Sequence, residues 1–301
     1  MTIIRFILIA MTSIFLVNFG YSGDSITDLR QKAEQGDVKA QFDLGNALYD
    51  GDGVTEDKVE AVKWFRLAAD QGDAAAQYNL GIAYDNGQGV EENKEEAVKW
   101  YRLSAEQGDM DAQYNLGVAF YEGTGVEEDK AEAVKWFKLA AEQDSPEAQY
   151  NLGIAYYQGE GVEEDKTEAV KWFRLSAEQG DAEAQYNLGI AYDNGEGVEK
   201  NKVEAAKWFK LAAEQGDSDG QYNYGICLRD GEGVKQDKVE AIKWFMLAAE
   251  QGDADAQYTL GVSYINGEGV KRNRAEAIKW FKLAAEQGDT DAKLALRRFA
   301  R

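Results

Sequence analysis

The sequence predicts an all-α protein, a solenoid of helix-turn-helix units repeating every 36 residues. Three observations carry that prediction. Tryptophans stand at 64, 100, 136, 172, 208, 244 and 280, and glycines at 45, 81, 117, 153, 189, 225 and 261, each series at a constant interval of 36. Ala, Glu, Lys, Gln and Leu dominate a chain with a single proline, Pro146, a composition that favours helix. Every period also holds two sets of helix start and stop signals. Repeats of this length cannot bury an apolar face alone, so they stack on their neighbours.

Seven units run from Asp37 to Gly288 without insertion. With Asp37 as position 1, each unit opens with helix A, of the pattern DAxAQYNLGIAY, and continues with helix B, DKxEAVKWFKLAAEQ. Helix B begins with Asp or Asn followed three residues later by Glu, as in Asp57 and Glu60 or Asn201 and Glu204; this is the pattern of a capping box, predicting reciprocal side-chain-to-backbone bonds. GxGV separates the helices, and its first glycine is placed to end helix A in the left-handed region.

Between units the chain reads QGD at seven places, with Gly just past helix B and Asp as N-cap of the next helix A. The eighth copy reads Gln143-Asp144-Ser145-Pro146. Asp tolerates the left-handed conformation, Ser is a good N-cap, and proline is accepted at the first helical position. Each change preserves the corner, so QGD is a turn and not a recognition loop.

Glycine inside helix A costs about 1 kcal/mol against alanine. Seven such glycines predict a close approach by helix B, whose Ala61, Phe65 and Ala68 share one face. Trp64, beside Phe65, is expected to broaden that face toward the next unit. The opposite stripe of helix B, with Glu132, Lys135, Lys138 and Glu142, is spaced for exposed ion pairs. At the ends, residues 23–36 align with a lone helix B in which Asp28 replaces the Trp. Residues 289–301 align with a lone helix A in which Arg297 replaces the Gly. These are the polar caps a solenoid needs.

The net charge of −22 argues against nucleic acid and favours neutral or basic partners. Histidine is absent, removing the usual general base and zinc ligand, and Cys227 is alone, excluding an internal disulfide. Residues 1–22 have the layout of a signal peptide: Arg5, an apolar run from Phe6 to Val17, then small Gly20 and Ser22. Export with cleavage after Ser22 is expected, and the run is short for a membrane span. No metal or cofactor is expected: the GxG pairs lack the strand and the further glycines of a phosphate loop, and Asp50–Asp57 lacks an EF-hand register.

Leu116-Gly117-x-x-Phe120, with Ala133, Phe137 and Ala140 following, resembles the tetratricopeptide signature. The 36-residue length, AxxAQYNLGxxYxxGxGV and AxxWFxxAAEQG are similar to the Sel-like repeat (SLR) family over residues 25–301. The resemblance implies a right-handed superhelix that acts as a protein–protein scaffold, probed along a concave groove lined by helix A. Some relatives clamp each unit with a disulfide, which this chain cannot form. Others are linked to β-lactam binding or hydrolysis, the alternative reading; no Ser-x-x-Lys occurs here to support it.

Positions 3, 6, 10 and 13 of each unit share a helix-A face. Position 6 supplies Phe42, Tyr78, Tyr114, Tyr150, Tyr186, Tyr222 and Tyr258, and position 10 is mostly Ile or Val. Position 13 varies most: Tyr49, Asp85, Tyr121, Tyr157, Asp193, Arg229 and Ile265. Variation between Asp and Ile is unlike a core position. The expected partner-binding residues are therefore Tyr78, Asp85, Tyr114, Tyr121, Tyr150, Tyr157, Tyr186, Asp193, Tyr222, Arg229 and Tyr258, on a monomeric, non-catalytic scaffold for a protein or extended peptide.

Overall fold

The computed structural model describes residues 23–299; residues 1–22, expected from the sequence to be a signal peptide, lie outside them. Among the described residues there are sixteen α-helices and no strand. In order they are α1 (Gly23–Glu34), α2 (Val38–Asp50), α3 (Lys58–Asp70), α4 (Ala74–Asn86), α5 (Lys94–Glu106), α6 (Met110–Glu122), α7 (Lys130–Ala141), α8 (Pro146–Gln158), α9 (Lys166–Glu178), α10 (Ala182–Asn194), α11 (Lys202–Glu214), α12 (Ser218–Asp230), α13 (Lys238–Glu250), α14 (Ala254–Asn266), α15 (Arg274–Glu286) and α16 (Thr290–Phe299). The chain divides into two bodies, one ending at Trp100 and the other beginning at Tyr101. Within each, helices pack chiefly on their neighbours in sequence, as a solenoid of repeats requires.

The turns follow from local chemistry. Asp73 and Asp181 accept the backbone N–H three residues on, at 2.8 and 2.6 Å, and Gly87 and Gly195 close the same helices with φ near +65° and +77°. Asp144 is the one non-glycine with positive φ among the described residues, at 69°. Ser145 caps α8 by accepting from Ala148 N at 3.2 Å, with Pro146 in the first turn. The variant corner is thus built as its sequence predicts.

The capping box forms only by half. Asp57 accepts from Glu60 N at 2.8 Å, but the N–H of Asp57 is already bonded to Leu48 O at 2.8 Å. The loop folds back on helix A and satisfies that donor, so the glutamate is released. It accepts instead from the indole N–H of Trp64 at 3.2 Å, and Glu132 does the same for Trp136 at 3.0 Å. The tryptophans are mostly half-buried, with Trp208 buried.

Helix A and helix B meet where the glycine permits it. A Cβ on Gly45, Gly153 or Gly189 would lie 2.6 Å from the ring of Phe65, Phe173 or Phe209 respectively. Those rings and Leu44, Leu152 and Leu188 are nearly inaccessible and form the core of each hairpin.

Two devices join one repeat to the next. In the second body the buried amides of Gln149 and Gln185 donate to Ala141 O and Ala177 O, each at 3.1 Å. Their carbonyl oxygens accept from Gln179 and Gln215 of the same repeats' helix-B ends, at 2.9 and 2.8 Å. Each chain of bonds therefore runs from one helix B through helix A to the next helix B, leaving these polar groups satisfied. The second glycine of GxG also has a partner: a Cβ on Gly161, Gly197 or Gly233 would collide with the backbone of Lys130, Lys166 or Lys202, one repeat earlier.

Candidate functional site

Position 6 faces inward more than its tyrosines suggested. Tyr114, Tyr150, Tyr186 and Tyr222 pack at a tilt against Phe137, Phe173, Phe209 and Phe245, ring centroids 6.0, 6.0, 6.0 and 5.7 Å apart. Tyr258 meets Phe281 at 5.7 Å, and Tyr78 is half-buried on α4. The hydroxyls point along the stack: Asn151 donates to Tyr114 at 3.5 Å and Asn187 to Tyr150 at 3.4 Å. Burial and the nearby Glu147 push the Tyr114 phenol up to about 12.

Position 13 is half-buried in every repeat, and in the first five a lysine from the start of helix B sits on it. Lys58 lies 4.8 Å from the centre of the Tyr49 ring, Lys130 4.8 Å from Tyr121 and Lys166 4.9 Å from Tyr157. Where the residue is aspartate the contact becomes an ion pair, Lys94–Asp85 at 3.0 Å and Lys202–Asp193 at 2.5 Å. A π face and a carboxylate both attract an ammonium, which explains an alternation that hydrophobicity could not. The next repeat adds a carboxylate: Tyr121 donates to Glu160 and Tyr157 to Glu196, and Lys130 and Lys166 pair with those acids at 3.0 Å. Further on the pattern lapses; Arg229 turns to Asp230 at 2.6 Å, and Ile265 is half-buried.

Sequence reasoning placed position 3 on this face but passed over its content. Lys39 and Ala75 occupy it first; then Asp111, Glu147, Glu183, Asp219, Asp255 and Asp291 follow in unbroken series, all in the second body. The N-cap aspartates Asp181, Asp217 and Asp253 lie beside them. Burial, with repulsion from Asp181, Asp217 and Asp219, pushes the Glu183 carboxyl up to about 7, although Tyr150 hydrogen-bonds to it. Burial likewise raises Asp217 to about 6, against the bond it accepts from Gly220 N. The signal was present in the sequence as a carboxylate recurring every 36 residues.

Cys227 is buried, which pushes its thiol up to about 11, and the chain has no histidine to activate it. Among the described residues, no group of three or more Cys, Asp or Glu is placed to hold a metal, and no helix is long and apolar enough to cross a membrane. The outer side of helix B carries ion pairs such as Lys135–Glu132 at 2.7 Å and Lys171–Glu168 at 2.6 Å.

Helical hairpins in register, each offering the same helix face beside its neighbour's, define a tetratricopeptide-like repeat solenoid, a class whose members typically bind proteins. The chain belongs to the Sel1 repeat family: residues 38–73, 74–109, 111–145, 146–181, 182–217, 218–253 and 254–289 each match a Sel1 repeat. Proteins of this family are generally interaction scaffolds. Among solved structures, c5321, a protective antigen of uropathogenic Escherichia coli with an SLR fold, is 39% identical; the match covers 90% of this chain and 66% of that one, with a TM-score of 0.75. A Sel1 repeat protein from Oxalobacter formigenes is 35% identical over 94% of this chain and 83% of its own, with a TM-score of 0.72. The secretory immunoglobulin A-binding protein EsiB of Escherichia coli O6:H1 is 39% identical over 62 residues, 20% of this chain and 13% of EsiB. This chain thus spans less than two thirds of c5321 and a small part of EsiB. The β-lactam reading finds no support among these relatives or in the site.

Proposed function

We propose that this protein is an exported, non-catalytic scaffold that holds a protein or extended peptide along its helix-A faces. The observation that carries the reading is the repetition of one face, tyrosine at position 6, aliphatic at position 10 and a carboxylate at position 3, through consecutive repeats of the second body. Catalysis needs a unique environment, whereas a surface repeated in register suits a partner that makes the same contact several times. The acidic series favours a neutral to basic partner over nucleic acid. Export is supported by the signal-peptide layout of residues 1–22. The binding of secretory immunoglobulin A by EsiB agrees with the interaction role in kind.

Site-specific photocrosslinking tests this. A benzophenone side chain at Ile190, on helix A, should trap a partner from the exported fraction, and unlabelled protein should compete. The same group at Leu175, exposed on the outer side of helix B, should trap little. Competable crosslinks from Leu175 with none from Ile190 would place binding on the other face and refute the proposal.

A further inference from the structure

The loops that join helix A to helix B form one edge of the second body. The N–H groups of Asp129, Asp165, Asn201, Asp237 and Asn273 each bond back to their own helix A at 2.8–2.9 Å. The second loop glycines Gly161, Gly197, Gly233 and Gly269 abut the backbone of a lysine one repeat earlier. Successive loops are therefore held in register, and so are the two residues before each N-cap, which are exposed in all five repeats. Their charge reverses along the edge. Glu127 and Glu128, then Glu163 and Glu164, are acidic. Glu199 and Lys200 cancel. Lys235 beside Gln236, then Lys271 and Arg272, are basic. The charges around them are already matched: Lys130, Lys166, Lys202 and Lys238 pair with a glutamate of the next repeat, and the N-cap aspartates accept from their own helices. The reversing pairs have no such ion pair among the described residues; Arg272 donates to a carbonyl, Asn266 O, at 2.9 Å. Directly after the neutral loop and the one following it stand Val203 and Val239, each 62% exposed, the highest values among large apolar side chains of the described residues.

We propose that this loop edge binds the same edge of a second copy of the chain, antiparallel about a two-fold axis through the Glu199–Lys200 loop. The axis sets Glu127 and Glu128 against the partner's Lys271 and the partner's Arg272, and Glu163 and Glu164 against the partner's Lys235. Each contact occurs twice, as in any isologous interface. At the axis Glu199 meets the partner's Lys200, with Val203 and Val239 as an apolar centre inside a charged rim. A parallel pairing would place like charges opposite one another at every loop but the middle one, so charge selects the antiparallel register. A shift by one repeat would leave Glu127 and Glu128 unmatched. Reversal of sign about a neutral centre is what makes the edge complementary to itself rather than to a uniformly acidic or basic partner. The monomer expected from the sequence then holds only where salt screens these exposed charges.

Sedimentation equilibrium of the full chain tests this. At about 50 mM salt the mass should be that of two chains, and about 500 mM should return it to one. The variants K271E/R272E and E127K/E128K should each weaken dimerisation by about tenfold or more, because like charges then face each other twice. Mixed in equal amounts, the two variants should recover a mass of two, since each supplies the sign the other lacks. Circular dichroism melting of each variant checks that it is folded. Under mild oxidation Lys200→Cys should form a disulfide with its own copy across the axis, and Lys271→Cys, distant from itself in the pair, should not. A mass of one chain at low salt would overturn the proposal and leave the edge to a foreign partner. So would masses growing beyond two, the mark of head-to-tail association, or a dimer indifferent to both charge swaps. Failure of the mixture to recover, or a disulfide from Lys271→Cys and none from Lys200→Cys, would overturn the antiparallel pairing. These loop residues lie apart from the helix-A face, so the crosslinking at Ile190 and the dimer stand or fall separately.

Discussion

Substituting Gly189 by alanine tests the close approach on which each hairpin depends. On an open helix surface this change stabilises by about 1 kcal/mol, because alanine loses less backbone freedom. At Gly189 the new Cβ would stand 2.6 Å from both Cδ1 and Cε1 of Phe209 and 3.2 Å from its Cγ. Carbon atoms rest at roughly 3.5–4.0 Å, so the overlap is about 1 Å. Phe209 is buried and packed against Tyr186, so the ring has little room to retreat. Overpacking of this kind costs about 1–3 kcal/mol. The net expectation is a destabilisation of roughly 0–2 kcal/mol, against the helix-propensity gain of about 1 kcal/mol seen on an open surface. In a Phe209→Ala background, itself costing about 3–5 kcal/mol, the clash disappears and Gly189→Ala should stabilise by about 1 kcal/mol. Urea unfolding followed by circular dichroism, with unchanged m-values, would measure this double-mutant cycle. If Gly189→Ala stabilises the parent protein, the glycine is not there to admit the ring.

Glu183 and Asp217 carry folded-state values of about 7 and about 6, above their ordinary 4.5 and 3.8. The folded protein therefore holds protons the unfolded chain has released, and stability falls as pH rises through that interval. Glu160 and Glu196, held low by hydrogen bonds from Tyr121 and Tyr157, act oppositely but only in more acid solution. The melting temperature should be higher near about pH 5.5 than near about pH 8, and Glu183→Gln should narrow the gap; a rise with pH would contradict the burial of this carboxyl. Asp193→Tyr should stay within about 0.5 kcal/mol of the parent, since either residue seats Lys202. Asp193→Lys should be less stable, and equal losses would remove the cation-seat account of position 13. Asp144→Gly should gain about 0.5–1 kcal/mol in urea unfolding by relieving a left-handed non-glycine, whereas Asp144→Ala should lose stability.

Features legible in the sequence were those fixed within a few residues. Left-handed glycines, N-cap aspartates and the Asp144-Ser145-Pro146 corner depend on local backbone chemistry, and the structure shows them. The helix-A glycine was legible through its cost, and the aromatic partner could be named because helix B offers one face per unit. The full capping box was expected and is absent, because a loop returning to Leu48 O, a non-local event, had already satisfied the donor. Gln149 looks like a surface residue in the sequence; its partners Ala141 and Gln179 belong to other helices, and no periodicity reveals them. Position 13 was read as exposed variation because the lysine that unifies Tyr and Asp starts the next helix. The acids at position 3 were there to be counted, but their mutual field needs the stacking of α8, α10 and α12.

The glutamine bonds and the second loop glycine reach no farther than the adjoining hairpin, spanning at most 35 residues in sequence. Excising or copying one 36-residue block in phase within the second body would consequently leave each surviving junction with a familiar counterpart. Ancestral lengthening or shortening by whole blocks would then demand no compensating substitution in the interior, and the number of carboxylates displayed to a partner could be tuned by recombination alone.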